Sequence, residues 1–256
     1  RGHTVAVVEL PGQHPVTDAI ARDSACAALD RLAGGTRPVI DGLALPAFAG
    51  LDDALAATGV VGLIHHPTSL EPGLDPAGQV RLRDIEQRLF PRLTRIVVTS
   101  ALTAETLAKE FGVDPNRIAV VTPGTDDAPR APGSGGPTCQ ILSIGTPIPR
   151  KGHDLLLHAL VRLFDLDWRL TIVGSETADP ACAHGLHALV QELGIADRVR
   201  FMGPLVGDAL EALWQSADIF ALATYYEGYG MVIAEALKRG LPVVATRGGA
   251  AGELLT

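Results

Sequence analysis

Cysteine is scarce in this chain. Cys26, Cys139 and Cys182 are odd in number, far apart and form no CxxC pair. That excludes a disulfide framework and a zinc ribbon, and a reducing compartment fits best. Long hydrophobic runs are missing as well: no apolar stretch approaches a membrane span, and the first residues do not form a signal peptide. The expected location is cytoplasmic, at most peripheral to the inner membrane face. Positive charge is in deficit. The formal net charge is −8 with no Lys or Arg stripe, which argues against a nucleic-acid partner. Lysine itself is rare, three residues against eighteen arginines, so each lysine that remains invites a reason. What the chain does have is 256 residues with 47% apolar content, enough for two compact domains.

Short apolar runs alternate with helical patterns, the signature of βαβ units and parallel sheets. Strands are predicted at residues 4–9, 38–41, 60–64, 95–99 and 117–121, with helices between them such as 77–90 and 103–110. Residues 123–137, PGTDDAPRAPGSGGP, are dense in proline and glycine and read as a linker. The pattern restarts with strands at 140–144, 169–173, 199–202, 218–222 and 243–246, separated by helices at 155–164, 180–193 and 209–215. The expectation is an α/β chain of two Rossmann-like domains with parallel sheets, residues 1–123 and 138–256, joined by a 124–137 linker and facing across a cleft. A cleft of that kind is the usual place for a ligand.

The most informative stretch is YYEGYGMVIAEAL at residues 225–237. A predicted strand runs into a Gly-Tyr-Gly turn and then a helix start, where backbone N–H groups and the helix dipole can hold an anion. Glu227 precedes the turn, and Glu235 lies roughly 8 to 12 Å further on at 1.5 Å per residue. A diphosphate on the helix start would have a carboxylate at each end, which suits a nucleotide sugar. A helix-face or cap-region charge is the ordinary alternative. It fits Glu235 poorly, because Val232, Ile233, Ala234, Ala236 and Leu237 around it are apolar and an unpaired buried carboxylate is costly.

On these residues the chain resembles the family 4 glycosyltransferases, retaining enzymes of the GT-B fold. Glu227 to Glu235 matches their E-x7-E signature, with Ser216-Ala-Asp before the strand, Gly240-Leu-Pro-Val-Val after the helix, and Gly248-Gly249 with Glu253 beyond. The resemblance implies that Glu227 lies by the transferred sugar, that Gly228, Gly230 and Met231 bind phosphate through their amides, and that Glu235 takes the ribose hydroxyls. A second block, SIGTPIPRKGH at 143–153, looks like the family's other donor-binding loop. It carries Gly145, Thr146, Arg150 and Lys151, and the compact ammonium of Lys151 suits a departing diphosphate. The family usually has arginine directly after this glycine. Thr146 stands there instead and supplies no charge, with Arg150 as a possible substitute.

A third block, LIHHPT at 63–68, closes a predicted strand, and ligand sites in open α/β sheets gather at strand C-termini. The resemblance puts a histidine here facing the sugar, His65 first and His66 second. A metal at the pair has no Cys or acidic residue at zinc spacing to support it, and Asp165-Leu-Asp167 reads as a polar loop. The expectation is therefore a metal-independent retaining hexosyltransferase with a nucleotide diphosphate sugar as donor and no other cofactor. The acceptor, whether sugar, lipid or small molecule, is not legible. The alternative is a non-catalytic nucleotide-sugar-binding or regulatory relative of the same fold. A dinucleotide oxidoreductase is disfavoured because Ile233 occupies the third glycine position of its fingerprint. Set against the family, both ends look cut: a first strand and helix are expected before residue 1, and further helices after residue 256.

Overall fold

A computed structural model describes residue 2, residues 4–71 and residues 73–255. Helix α1 (Ala19–Asp30) begins where the Asp18 carboxylate accepts from the Ala21 amide at 2.8 Å. It is followed by β1 (Val39–Asp41), α2 (Asp52–Thr58) and β2 (Val61–Ile64). Asp75 and Pro76 then start α3 (Pro76–Leu89), a capping residue followed by a ring whose φ is already helical. After β3 (Arg95–Val98), Ser100 caps α4 (Ala101–Phe111) and a left-handed Gly112 ends it. β4 (Ile118–Val120) completes a four-stranded parallel sheet in the order β1-β2-β3-β4. Its core is aliphatic, with Ile40, Ile64, Ile96 and Val98 of the strands packed with Leu55, Leu89, Leu107 and two phenylalanines, Phe90 and Phe111.

One predicted strand is not found among the described residues: 4–9 form no ladder or bridge there, and Val5, Val7 and Val8 are 80%, 88% and 67% exposed. The apolar pattern suits a strand, but a strand exists only through ladder bonds to a neighbour. Within this unit β1 is bonded on one side by β2, and residues 4–9 do not reach its other side.

The second unit, Pro123–Thr256, repeats the βα alternation. Residues 123–137 carry no helix or strand but lie on this unit: the Asp218 carboxylate accepts from the Ser134 amide and hydroxyl, and the Ala131 amide donates to the Arg239 carbonyl. The strands are β5 (Cys139–Ile144), β6 (Trp168–Val173), β7 (Val199–Phe201), β8 (Ile219–Leu222) and β9 (Val243–Ala245), all parallel, in the order β7-β6-β5-β8-β9. The helices are α5 (His153–Val161), α6 (Pro180–Glu192), α7 (Gly207–Ser216) and α8 (Met231–Lys238). Alternate strand residues feed two cores. Ile141, Leu170, Ile172 and Ala221 pack against α5 and α6, while Leu142, Phe220 and Leu222 pack against α7 and α8. A parallel sheet needs both faces covered, and these helix pairs cover them.

The strand order fixes where a ligand can enter. From β5 the chain winds outward through β6 and β7; it then returns to β8 on the other side and continues to β9. The connections diverge between β5 and β8, so their C-terminal loops leave a crevice at that edge.

Candidate functional site

Two of the sequence blocks, 143–153 and 225–237, meet at this crevice. The loop after β5 ends in a single 3-10 turn, Pro149–Lys151, and the loop after β8 carries Glu227. Lys151 Nζ donates to Glu227 Oε1 at 2.6 Å, and Arg150 Nη1 lies 3.5 Å from Glu227 Oε2. All three side chains are largely buried, with 14%, 16% and 8% of their surface exposed for Lys151, Arg150 and Glu227. The two loops are also stitched by main chain. The Arg150 carbonyl accepts from the Tyr225 amide at 2.8 Å and the Thr224 hydroxyl at 3.0 Å, while Arg150 donates to the Tyr226 carbonyl at 2.9 Å.

Gly152 makes this approach possible. Its φ is +60°, and a β-carbon there would collide with the Ala223 carbonyl at the end of β8. Gly145 is anchored in turn, its amide on Val173 and its carbonyl on His153 Nε2 at 3.0 Å. His153 is buried, which pulls its imidazole below the ordinary histidine range and keeps it a neutral donor to that carbonyl. Thr146 follows, and its carbonyl closes the turn by accepting from the Ile148 amide.

Helix α8 opens on Gly230, at φ +101°, with no side-chain cap. Helices α1, α3, α4 and α6 satisfy their first amides with an Asp or Ser; α5 and α8 begin on glycine and do not, and α2 and α7 also lack such a cap. Among the described residues the Gly230 and Met231 amides donate to no protein acceptor. Orphan amides at a helix start, with the positive end of the dipole, form an anion site. Gly228 sits between this start and Glu227, whose backbone bridges Gly249 and accepts from the Ala250 amide.

Glu235 is separate from that ion cluster. Ile233 and Ala236 turn into the core, and Glu235 is half-buried beside a cavity of about 400 Å³ lined by Gly124, Asp126, Gly207, Met231 and Arg239. Burial raises its carboxyl above the usual glutamate range; Asp126 adds to the shift and Arg239 opposes it. Among the described residues no donor is bonded to this carboxylate. Arg239 is engaged elsewhere, 2.7 Å from Glu211 and stacked over Trp214 at 4.8 Å.

In the first unit, His65 and His66 follow β2. His65 Nε2 lies 3.0 Å from Asp41 Oδ2 at the end of β1, and both side chains are about half exposed. The hydrogen bond raises the His65 imidazole and lowers the Asp41 carboxyl from their ordinary values. His66 is different: it turns into the loop, 2.7 Å from Glu71, with 13% of its side chain exposed. Among the described residues no group of three or more His, Cys, Asp or Glu is placed to hold a metal ion. Asp167 accepts from the Thr138 hydroxyl.

Sequence reasoning missed Asp41, His153 and Glu86. Asp41 ends a strand on the ligand side, and His153 follows Lys151-Gly152 directly, so position alone could have found both. Glu86 shares a helix face with Leu82 and Leu89 at i+4 and i+7 spacing, an acid where an apolar residue belongs.

Known proteins give the same reading. A family model described as Glycosyltransferase Family 4 matches residues 39–128, and one described as Glycosyl transferases group 1 matches residues 138–256. A D-inositol 3-phosphate glycosyltransferase of Corynebacterium efficiens is 32% identical over 191 residues, 68% of this chain and 45% of the relative. One from Mycobacterium sp. (strain KMS) is 34% identical over 171 residues, 62% of this chain and 38% of the relative. The chain thus spans less than half the length of these curated relatives. Among solved structures, Anabaena HepE in complex with UDP and glucose matches with a TM-score of 0.70 at 20% identity, covering 91% of this chain and 64% of that one. Sucrose-phosphate synthase from Thermosynechococcus elongatus matches with a TM-score of 0.72 at 20% identity, covering 90% and 60%. With both units matched by models of one enzyme class, and with these relatives and fold neighbours, the chain belongs to the family 4 glycosyltransferases of the GT-B fold.

Proposed function

We propose that this chain carries the donor site of a retaining, metal-independent hexosyltransferase. A hexose would pass from a nucleotide diphosphate sugar to an acceptor hydroxyl. The observation that supports it most is the Lys151–Glu227 pair, at 2.6 Å, beside the uncapped start of α8. As the bond between the anomeric carbon and the diphosphate breaks, the electron pair leaves with phosphate. Lys151, Arg150 and the Gly230 and Met231 amides are the groups that would stabilise this charge. Arg150, 3.5 Å from the same carboxylate, would supply the charge that Thr146 lacks. Glu227 would orient the sugar, Glu235 the ribose diol, and His65 a sugar hydroxyl. Retention and metal independence come from family resemblance.

The test is nucleoside diphosphate release from a panel of nucleotide sugars, starting with UDP-glucose because a fold neighbour binds it. Inositol 3-phosphate is the first acceptor to try, after the relatives' names. Turnover with unchanged anomeric configuration by NMR, undiminished by EDTA, is the expected outcome. Inhibition by chelator overturns metal independence, an inverted product overturns retention, and nucleotide binding without turnover favours the non-catalytic relative.

A further inference from the structure

Helix α3 turns an acid into the first unit. Leu82, Glu86 and Leu89 share its buried face, and Glu86 is 2% exposed. Its carboxylate is held by two consecutive residues of the β2–α3 loop. Oε1 accepts from the Thr68 amide at 2.6 Å and the Thr68 hydroxyl at 2.7 Å; Oε2 accepts from the Ser69 amide at 3.2 Å and the Ser69 hydroxyl at 2.5 Å. Thr68–Leu70 is a 3-10 turn with no side-chain cap, so Glu86 serves as its cap from another element. An unpaired carboxylate at this depth would be costly, and four donors from one turn are what make it tolerable.

The turn begins three residues after His65 and fixes more than itself. Glu71, next in the loop, holds His66 at 2.7 Å, and Gln79 of α3 donates to the Glu71 carbonyl at 3.1 Å. The His65 carbonyl accepts from the Thr99 and Thr103 hydroxyls at 3.5 and 3.4 Å. Asp41, which meets the His65 imidazole, has its other oxygen bound by the Leu43 amide at 2.9 Å. Every part of the segment from His65 to Glu71 therefore has an anchor. The carboxylate of Glu86, 2% exposed, takes the most bonds of them.

We propose that Glu86 is a positioning residue: through Thr68 and Ser69 it holds the β2–α3 loop as a fixed wall with the His65 imidazole set against Asp41, ready for substrate. The role for His65 rests on the function proposed above, whereas the clamp itself does not. A mobile lid at this place would show its polar groups to water; here they are spent on a buried carboxylate.

The test uses the full chain with Glu86→Gln, which keeps the shape but leaves one acceptor oxygen for four donors. Titration of the His65 imidazole by carbon-edited NMR is the deciding readout, with Asp41 the charged group against it and His66 and Glu71 the titratable pair next in the loop. In the native protein His65 should titrate above an ordinary histidine, and in Glu86→Gln its midpoint should fall toward that of Asp41→Asn. Amide exchange at residues 65–71 should accelerate, UDP affinity should hold within about twofold, and sugar transfer should drop about tenfold or more, as misplacement of a reacting group does. If Glu86→Gln lowers the melting temperature yet leaves the His65 titration unchanged, the residue is structural only and the proposal fails. Should that variant not fold, Ser69→Ala removes one hydroxyl donor and must move the titration the same way by less; no movement also overturns it. A native protein that turns over no nucleotide sugar defeats the hexosyltransferase reading alone, since titration and exchange still decide on Glu86.

Discussion

Glu235 and Lys151 show opposite ways of keeping a charge in a half-dry site. Burial raises the Glu235 carboxyl, so its folded value lies above the unfolded one near 4.5. Such a group contributes its full stability below the unfolded value and loses it as pH rises through the folded one. At neutral pH the ionised Glu235 therefore weighs against folding, and bound ribose hydroxyls would offset this. Glu235→Gln should melt higher than the native protein at pH 7, with the gap closing toward pH 4. It should also bind nucleotide more weakly, by roughly 1 to 3 kcal/mol, the order for a diol left without its charged acceptor. Melts across pH and calorimetry check the two halves; a lower melting point with unchanged affinity contradicts both. Lys151 is instead paired, at 2.6 Å from Glu227. Lys151→Ala should lower turnover more than nucleotide affinity, because the charge it meets grows as the diphosphate departs. Equal turnover in the two proteins removes it as a leaving-group stabiliser. Glu227 and Glu235 were legible because they form a local motif with fixed spacing, and Lys151 because it stands in a strand-to-helix loop of a lysine-poor chain. Asp41 and Glu86 were not read, since the groups that give them meaning, His65 and Thr68-Ser69, come from a neighbouring strand and a distant turn.

At the scale of elements, the short turn bearing Lys151 depends on Gly152. A side chain there would need φ near +60° and would strike the Ala223 carbonyl, so the turn must shift away from β8. Gly152→Ala should cost about 1 to 3 kcal/mol of stability, as a forced left-handed residue does, and weaken nucleotide binding by separating Lys151 from Glu227. Denaturant unfolding and calorimetry measure both. Unchanged affinity would mean that the turn is not what places the lysine. Strands were easy to read because they are short runs rich in Val, Ile and Leu, and nine of them appear within two residues of expectation. Residues 4–9 have the same kind of pattern without a strand partner among the described residues, and periodicity reports a tendency to be buried, not what will do the burying. The expected helix 155–164 stops at Val161, where the Arg162 and Leu163 amides turn to the carbonyls of Ala159 and Leu160, three residues back, and the chain tightens into turns.

For the whole molecule, what could not be read from one dimension was strand order. The blocks at 143–153 and 225–237 lie far apart in sequence, and only the order β7-β6-β5-β8-β9 makes their loops neighbours. Resemblance supplied their joint meaning; the topology gives the physical reason, a crevice where the connections diverge. An acidic chain of net charge −8 thus gathers Arg150 and Lys151 around Glu227 at one strand edge, three residues before the Gly230 helix start. A crystal structure of the chain with UDP tests that gathering most directly. The expected result is a diphosphate on the Gly230 and Met231 amides beside Lys151, with ribose hydroxyls on the Glu235 carboxylate. UDP bound away from the β5–β8 edge, or no UDP at saturating concentration with Lys151 still on Glu227, would contradict it.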